Sequence, residues 1–379
     1  MFQMTRSPMK FASNSMRLPK SQPVPTLKDS RAIMSLRAFL TAMPKVELHV
    51  HLEGAMPPET LLHLVQKYGL DLPVRTLDDV RRWFTFRDFP HFVTVYVAIS
   101  GALRTLDDLE RLAGDFLRGQ AAQNIRYTEF TYTPYTHTRL KGWSIQEQHA
   151  ALNRARRRAR DELGIEARMI FDIAREVTPA EGRITAEAVI DRFQTDDHGL
   201  AGLGLGGYEA ANPADKFADS FALARAVGVP LILHAGETAG PESIRRALDL
   251  GARRIGHGVR AVEDPALLSE LRQRQIALEV CPTSNIRLGI YPSLAEHPLP
   301  HLLHAGLIVT LGSDDPPLFD TTLTEEYLRT AEAFGFGAQT YIDMVRAGIA
   351  VSTLPADAQT TLWNQFEAEI DGLRARYAV

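Results

Sequence analysis

The chain has 379 residues, 45% of them hydrophobic and 23% charged, which is the composition of a folded globular protein and excludes a disordered one. Its 42 basic and 46 acidic residues leave a net charge of -4, so no broad nucleic-acid or membrane footprint is expected. The single cysteine, Cys281, excludes an intramolecular disulfide and a cysteine-rich zinc site and suits a reducing, cytoplasmic setting.

No apolar run reaches the ~18 residues of a membrane span. Residues 1–44 carry Arg6, Lys10, Arg17, Lys20, Lys28, Arg31 and Arg37 against one acid, Asp29. They contain no apolar core of the kind a secretory signal needs. The segment reads as a basic, disordered N-terminal extension, with a short helix over Ser30–Met43 as its one candidate element. Residues 45–379 read as a single domain.

From Val46 onward, short apolar runs rich in β-branched residues alternate with helical stretches. Strands are expected at Val46–His51, Arg126–Thr131, Ala167–Asp172, Ala201–Leu205, Pro230–His234, Arg254–His257, Ala277–Cys281 and Leu307–Gly312. Helical patterns such as Leu106–Gln120 and Gln146–Leu163 fall between them, and glycines such as Gly164 and Gly251 stand where helices should stop. Strand-then-helix units repeated eight times predict an α/β fold, a TIM-type (β/α)8 barrel. The stretch between the first two strands is too long for one crossover. It predicts a helical cap insertion, with Phe84, Phe86, Phe89 and Phe92 as an apolar lid or as ordinary helix packing. The tail from Thr324 predicts C-terminal helices on the outside.

Polar residues collect where strands end. The first strand ends in His49 and His51, the fifth in His234 and Glu237, the sixth in His257, and the eighth in Asp314 and Asp315. In such a barrel these ends share the rim that carries active sites. Period-two alternation puts His49 and His51 on one strand face. Two buried imidazoles need partners, and a divalent metal satisfies both. Three histidines and one carboxylate, His49, His51, His234 and Asp314, suit catalytic zinc, which lowers the pKa of a bound water to about 7. A two-metal site would need a lysine at the end of the fourth strand. The segment there is Leu205-Gly206-Gly207-Tyr208-Glu209, and the next lysine is Lys216, so one zinc ion per chain is expected.

Glu237 can shuttle protons if burial raises its pKa, or cap a helix over Thr238–Ala247. His257, between Gly256 and Gly258, is expected to orient the water and stabilise charge. Adjacent aspartates in an extended segment point opposite ways, so one of Asp314 and Asp315 binds metal and the other reaches substrate. Gly207 offers a backbone N–H to a flat ligand, or simply a turn.

The motifs resemble the adenosine deaminase family of zinc-dependent aminohydrolases. They are His49-Val50-His51-Leu52-Glu53-Gly54, Leu205-Gly206-Gly207, His234-Ala235-Gly236-Glu237, Arg254-Ile255-Gly256-His257-Gly258, Cys281-Pro282-Thr283-Ser284-Asn285 and Ser313-Asp314-Asp315-Pro316. They occur in the family's order. The resemblance implies that His49, His51, His234 and Asp314 hold zinc, that Glu237 gives a proton to purine N1, and that His257 acts on the attacking water. It further implies that Asp315 bonds N7 and that the Gly207 N–H meets N3. Hydroxide would add to C6 and ammonia would leave. The zinc deaminases with an HxE and a PCxxC motif are excluded, because the chain has one cysteine.

Glu53 stands where adenosine-specific members usually carry an aspartate on the ribose 5′-hydroxyl. Thr238 and Gly256 stand where adenine-specific members often carry a second glutamate and an aspartate. The expected substrate is therefore a 6-aminopurine nucleoside with an altered or extended 5′ group. The chain resembles bacterial members that deaminate 6-aminodeoxyfutalosine for menaquinone synthesis, with adenosine second and free adenine third. Other readings are a binuclear amidohydrolase, which lacks its lysine here, and a non-enzymatic nucleoside binder, which should have lost a site residue. The expected partners are a small-molecule purine nucleoside and water.

Overall fold

The apolar runs become eight parallel strands, β1 Lys45–Glu47, β2 Ile125–Tyr132, β3 Glu166–Ala174, β4 Leu200–Gly206, β5 Leu231–Ala235, β6 Arg254–His257, β7 Ala277–Val280 and β8 Ile308–Leu311. They lie in one sheet in chain order. This is a computed structural model, and it describes residues 30–195 and 199–379, with only the backbone of Ser30, Phe89 and Pro90. The sheet curls back on itself, because isolated parallel bridges join Val50 to Asp314 and His51 to Thr131. The expected first strand thus splits into a short ladder and two bridges. His49 and His51 keep the spacing that turns both rings to one side, with ring centroids 5.6 Å apart.

The glycine-rich β4 follows from packing. A Cβ on Gly204 would stand 2.9 Å from Asp172 Cβ and Ile170 Cγ2, so β3 side chains already fill that space. Polar residues occupy the barrel below the site. Arg254, Glu129 and Glu279 are all buried, where apolar branched residues usually dominate.

Helix α1, Ser30–Ala42, forms where the short helix over Ser30–Met43 is expected. It packs on the helices Leu323–Phe334, Ala338–Val351 and Ala356–Tyr377, and Leu36, Phe39, Leu40 and Met43 are buried. An amphipathic stripe holds this part of the basic segment against the domain. Lys45 fastens its end, donating from Nζ to the carbonyls of Thr41, Met43 and Gln123 at 3.0, 2.9 and 3.0 Å. Residues 1–29 lie outside the described residues.

Between β1 and β2 stand the four helices of the expected cap, α2 Pro58–Tyr68, α3 Leu77–Phe84, α4 Phe89–Ala102 and α5 Leu106–Ala122. Capping boxes Thr76/Asp79 and Thr105/Asp108 start α3 and α5. The aromatic cluster divides. Phe84 is buried in the core, while Phe86 and Phe92 pack on each other and on Phe319, the Phe92 and Phe319 rings stacking at 5.4 Å. Of these side chains only Phe92 lines the cavity described below; the side chain of Phe89 lies outside the described residues. Among the described residues no helix is long and apolar enough to cross a membrane.

Candidate active site

The strand ends bring the predicted residues together. His51 Nε2 lies 3.1 Å from His234 Nε2 and 3.3 Å from Asp314 Oδ1, and His49 Nε2 lies 3.7 Å from the same oxygen. The ligand atoms of His49, His51, His234 and Asp314 all fall within 4.8 Å of one another. His49 is 3% exposed, and its Nε2 has no hydrogen-bond partner among the described residues. An orphaned imidazole nitrogen beside two facing imidazole nitrogens and a carboxylate is costly without a cation. The donor set fits a divalent metal ion, with the N/O chemistry that zinc takes.

Charge supports the fit. Burial would raise Asp314, but the neighbouring His49, His257 and His51 hold its carboxyl well below the usual carboxylate range. Burial and His49 hold His234 well below a normal histidine. Burial works against a charged His49, yet Asp314 and Glu279 lift its pKa to about 10. A bound cation would take the place of that second proton.

Residues that the sequence reading did not single out orient this set. His49 Nδ1 donates to Glu279 Oε2 at 3.0 Å, leaving Nε2 free for a ligand. Arg254 donates to Glu279 Oε1 at 2.5 Å and also to Glu129 Oε2. Glu129 Oε1 accepts from Tyr127 Oη and from Thr353 N, each at 2.6 Å. Ser284 Oγ donates to Asp314 Oδ2 at 2.6 Å. Arg175, fully buried, donates to the His234 carbonyl at 2.6 Å. The available signal was ionisable residues amid apolar strand neighbours, which are rarely buried unless paired.

Two of the described non-glycine residues with a left-handed backbone stand in this site. His257 and Asp314 take φ of 61° and 63° without being glycine. The expected extended geometry at Asp314-Asp315 is therefore corrected. The left-handed residue swings the chain so that both carboxylates line one cavity, rather than pointing opposite ways. Asp315 Oδ1 packs against Gly54, where a Cβ would stand 1.7 Å from it, so the glycine of the first motif makes room for this carboxyl.

Glu237 does not cap a helix over Thr238–Ala247, since that helix spans Pro241–Leu250. Its loop is held by Glu209, which accepts N–H bonds from Gly236, Glu237, Thr238 and Ala239 at 2.6, 3.0, 2.9 and 2.9 Å. Burial, reinforced by Asp314 and Glu209, pushes the Glu237 pKa up to about 8. His257 Nε2 is 3.7 Å from Glu237 Oε1, and burial drives its pKa down to about 3. Burial and Asp314 push the Asp315 carboxyl well above its usual range.

These groups open into a cavity of about 380 Å³. Every predicted site residue lines it except His49, which lies beneath. Gly207, at φ 98°, stands at its wall with Glu176, where a Cβ would meet Glu176 Oε2 at 2.5 Å. Glu53 is held from behind by the Thr133 N–H and by His137 Nε2, each 3.2 Å from Oε1, while the buried Oε2 has no partner among the described residues. The outer wall is Phe92, Val93, Tyr96 and Val97 of α4, with Leu140 of α6 (Pro134–Lys141) and Leu288.

A His/Asp cluster fit to hold a metal at the C-terminal rim of a parallel barrel, beside a carboxyl whose pKa burial raises, fits a hydrolase of the metal-dependent barrel type. Residues 44–369 match the adenosine deaminase family, and the chain belongs to it. It is a hydrolytic deaminase acting on C–N bonds. An aminodeoxyfutalosine deaminase of Streptomyces coelicolor is 36% identical, over 90% of this chain and 88% of its own. An adenine deaminase of Rhodospirillum rubrum is 39% identical, over 78% of this chain and 87% of its own. A crystal structure of a Burkholderia ambifaria amidohydrolase with bound Zn superposes with a TM-score of 0.83 at 30% identity, covering 94% of this chain and 97% of that one.

Proposed function

We propose that this protein deaminates a 6-aminopurine nucleoside at C6, with 6-aminodeoxyfutalosine as the preferred substrate and a place in menaquinone synthesis. Adenosine is the second reading, and free adenine the third. The carrying observation is the cavity, which continues past the catalytic cluster to the buried, half-satisfied carboxylate of Glu53 and an apolar outer wall. A free base would leave that wall uncovered. A nucleoside whose 5′ carbon bears an apolar extension would cover it. The aminodeoxyfutalosine deaminases among the relatives support the same choice.

His49, His51, His234 and Asp314 would hold one zinc ion per chain, which supplies Lewis acidity and hydroxide from water at neutral pH. The remaining work falls to the chain's own groups. Glu237, protonated at neutral pH, donates to purine N1 and drains electron density from C6. Asp315 keeps its proton and donates it to N7. The Gly207 N–H faces N3. Glu53 Oε2 accepts from a ribose hydroxyl. His257 stabilises charge as the oxygen attacks C6. The C6–N bond then breaks, ammonia leaves, and a 6-oxopurine remains.

The acid form of Glu237 prevails below its pKa of about 8. Raising the pH through that value removes the donor, so kcat/KM is expected to fall on the alkaline side of about pH 8. A profile that stays level well past that point would remove Glu237 from the role of acid.

The substrate test is the ratio of kcat/KM for 6-aminodeoxyfutalosine over adenosine with zinc-loaded protein. A ratio well above one is expected. A ratio well below one would make adenosine the substrate and Glu53 a functional replacement for the usual aspartate.

A further inference from the structure

Asn285 and His297 take no part in the scheme above, and neither lines the cavity. Both are buried, at 0% and 3% exposure. They link a backbone amide to His257. The Leu299 N–H donates to His297 Nδ1 at 3.1 Å, His297 Nε2 lies 3.1 Å from Asn285 Oδ1, and Asn285 Nδ2 lies 3.5 Å from His257 Nδ1.

The first donor sets the direction of the whole chain. A backbone N–H can only donate, so His297 Nδ1 carries a lone pair. Burial keeps this ring neutral, driving its pKa down to about 3. Its one proton is therefore on Nε2 and is given to Asn285 Oδ1. That bond fixes the amide, whose NH2 then faces His257. The opposite amide orientation would require lone pairs on both nitrogens of His297, which is an imidazolate anion in a buried site. An amide N–H also only donates, so His257 Nδ1 accepts. The proton of a neutral His257 is left on Nε2. That nitrogen faces the reacting side, 3.7 Å from Glu237 Oε1 and 4.0 Å from Asp314 Oδ2.

We propose that Asn285 and His297 are positioning residues that lock His257 in its Nε2–H tautomer, so that His257 meets the reacting atoms as a hydrogen-bond donor and not as a base. The effect on rate rests on the deaminase reading above, whereas the tautomer does not. A donor fixed in advance stabilises charge that develops during attack, and a ring with the other tautomer would turn a lone pair toward that charge.

Asn285→Asp separates the two arrangements. It keeps the size of the side chain but replaces the donor with a carboxylate acceptor, which draws the proton to His257 Nδ1. His297→Gln keeps a carbonyl for Leu299 and an N–H for Asn285, whereas His297→Leu keeps neither. Long-range 1H–15N spectra of the full-length, metal-loaded protein with 15N-labelled histidine read each tautomer directly. The expected result is Nε2–H at His257 in the wild type and in His297→Gln, and Nδ1–H in Asn285→Asp. In Asn285→Asp, kcat should fall by about 100-fold while KM stays within about threefold. His257 protonated on Nδ1 in the wild type would overturn the proposal. So would an Asn285→Asp protein with unchanged tautomer and unchanged kcat. If Asn285→Asp does not fold, loss of the fixed tautomer in His297→Leu with its retention in His297→Gln supports the lock, and no difference between those two overturns it. An Nε2–H signal in a protein that turns over no aminopurine would uphold the lock and reject the proposed function instead.

Discussion

Glu237→Gln is expected to lower kcat by about 100- to 10,000-fold while leaving the metal content unchanged. Glutamine keeps the shape and a polar tip, but it cannot deliver a proton to a ring nitrogen and take it back. Glu237 is not among the four residues whose ligand atoms cluster, so the metal set stays intact. Its loop is also held from outside the substituted side chain, by the four N–H bonds to Glu209. Steady-state kinetics with metal analysis on the same preparation check both halves. Near-normal turnover would reject the assigned role, and loss of the metal would show that the residue acts structurally.

Arg254→Met is expected to destabilise the fold by about 3–5 kcal/mol. The guanidinium lies between the Glu129 and Glu279 carboxylates, and all three side chains are buried. Removing it leaves two buried carboxylates without their cation, which costs far more than the intact pair contributes. The same change frees Glu279, which fixes the His49 ring through Nδ1. Metal affinity should therefore fall by about 10- to 100-fold as well. Urea unfolding and a competition assay with a chelator measure the two effects. A loss of stability below about 1 kcal/mol would mean that the buried network relaxes around the gap.

Much of the barrel was legible because its strands are buried on both faces and so read as short apolar runs ended by glycine-rich turns. β6 is found over the same residues as expected, Arg254–His257, and the others shift at their ends by one to a few residues. The first strand was less legible, since pairing at His49–His51 is carried by bridges to β8 and β2 that no local pattern encodes. Helix α1 was legible as a candidate over Ser30–Met43, but its packing on the C-terminal helices, which buries Phe39 and Leu40, was not, because those partners lie about 300 residues away in sequence.

The site followed the same division. His49, His51, His234 and Asp314 stood out because histidine and aspartate at strand ends carry chemistry that a core seldom needs. Their supports did not stand out. Glu279 reaches His49 across 230 positions of sequence, and Arg254 joins Glu129 across 125, so the pairing exists only in three dimensions. Asp314 and Asp315 were expected on opposite faces because the extended backbone was the default. The left-handed φ at Asp314 is a tertiary feature, held where the His51 N–H bonds the Asp314 carbonyl at 2.9 Å and the Asp314 N–H bonds the His49 carbonyl at 3.2 Å.

The fate of the oxygen distinguishes hydrolytic deamination from any other activity. Zinc-loaded protein would be given a 6-aminopurine nucleoside in 18O-labelled water, with mass spectrometry of the product and parallel measurement of ammonia. The expected product is a 6-oxopurine carrying one 18O atom, with one ammonia released for each product formed. A product without the label, or no ammonia from 6-aminodeoxyfutalosine, adenosine or adenine, would contradict it.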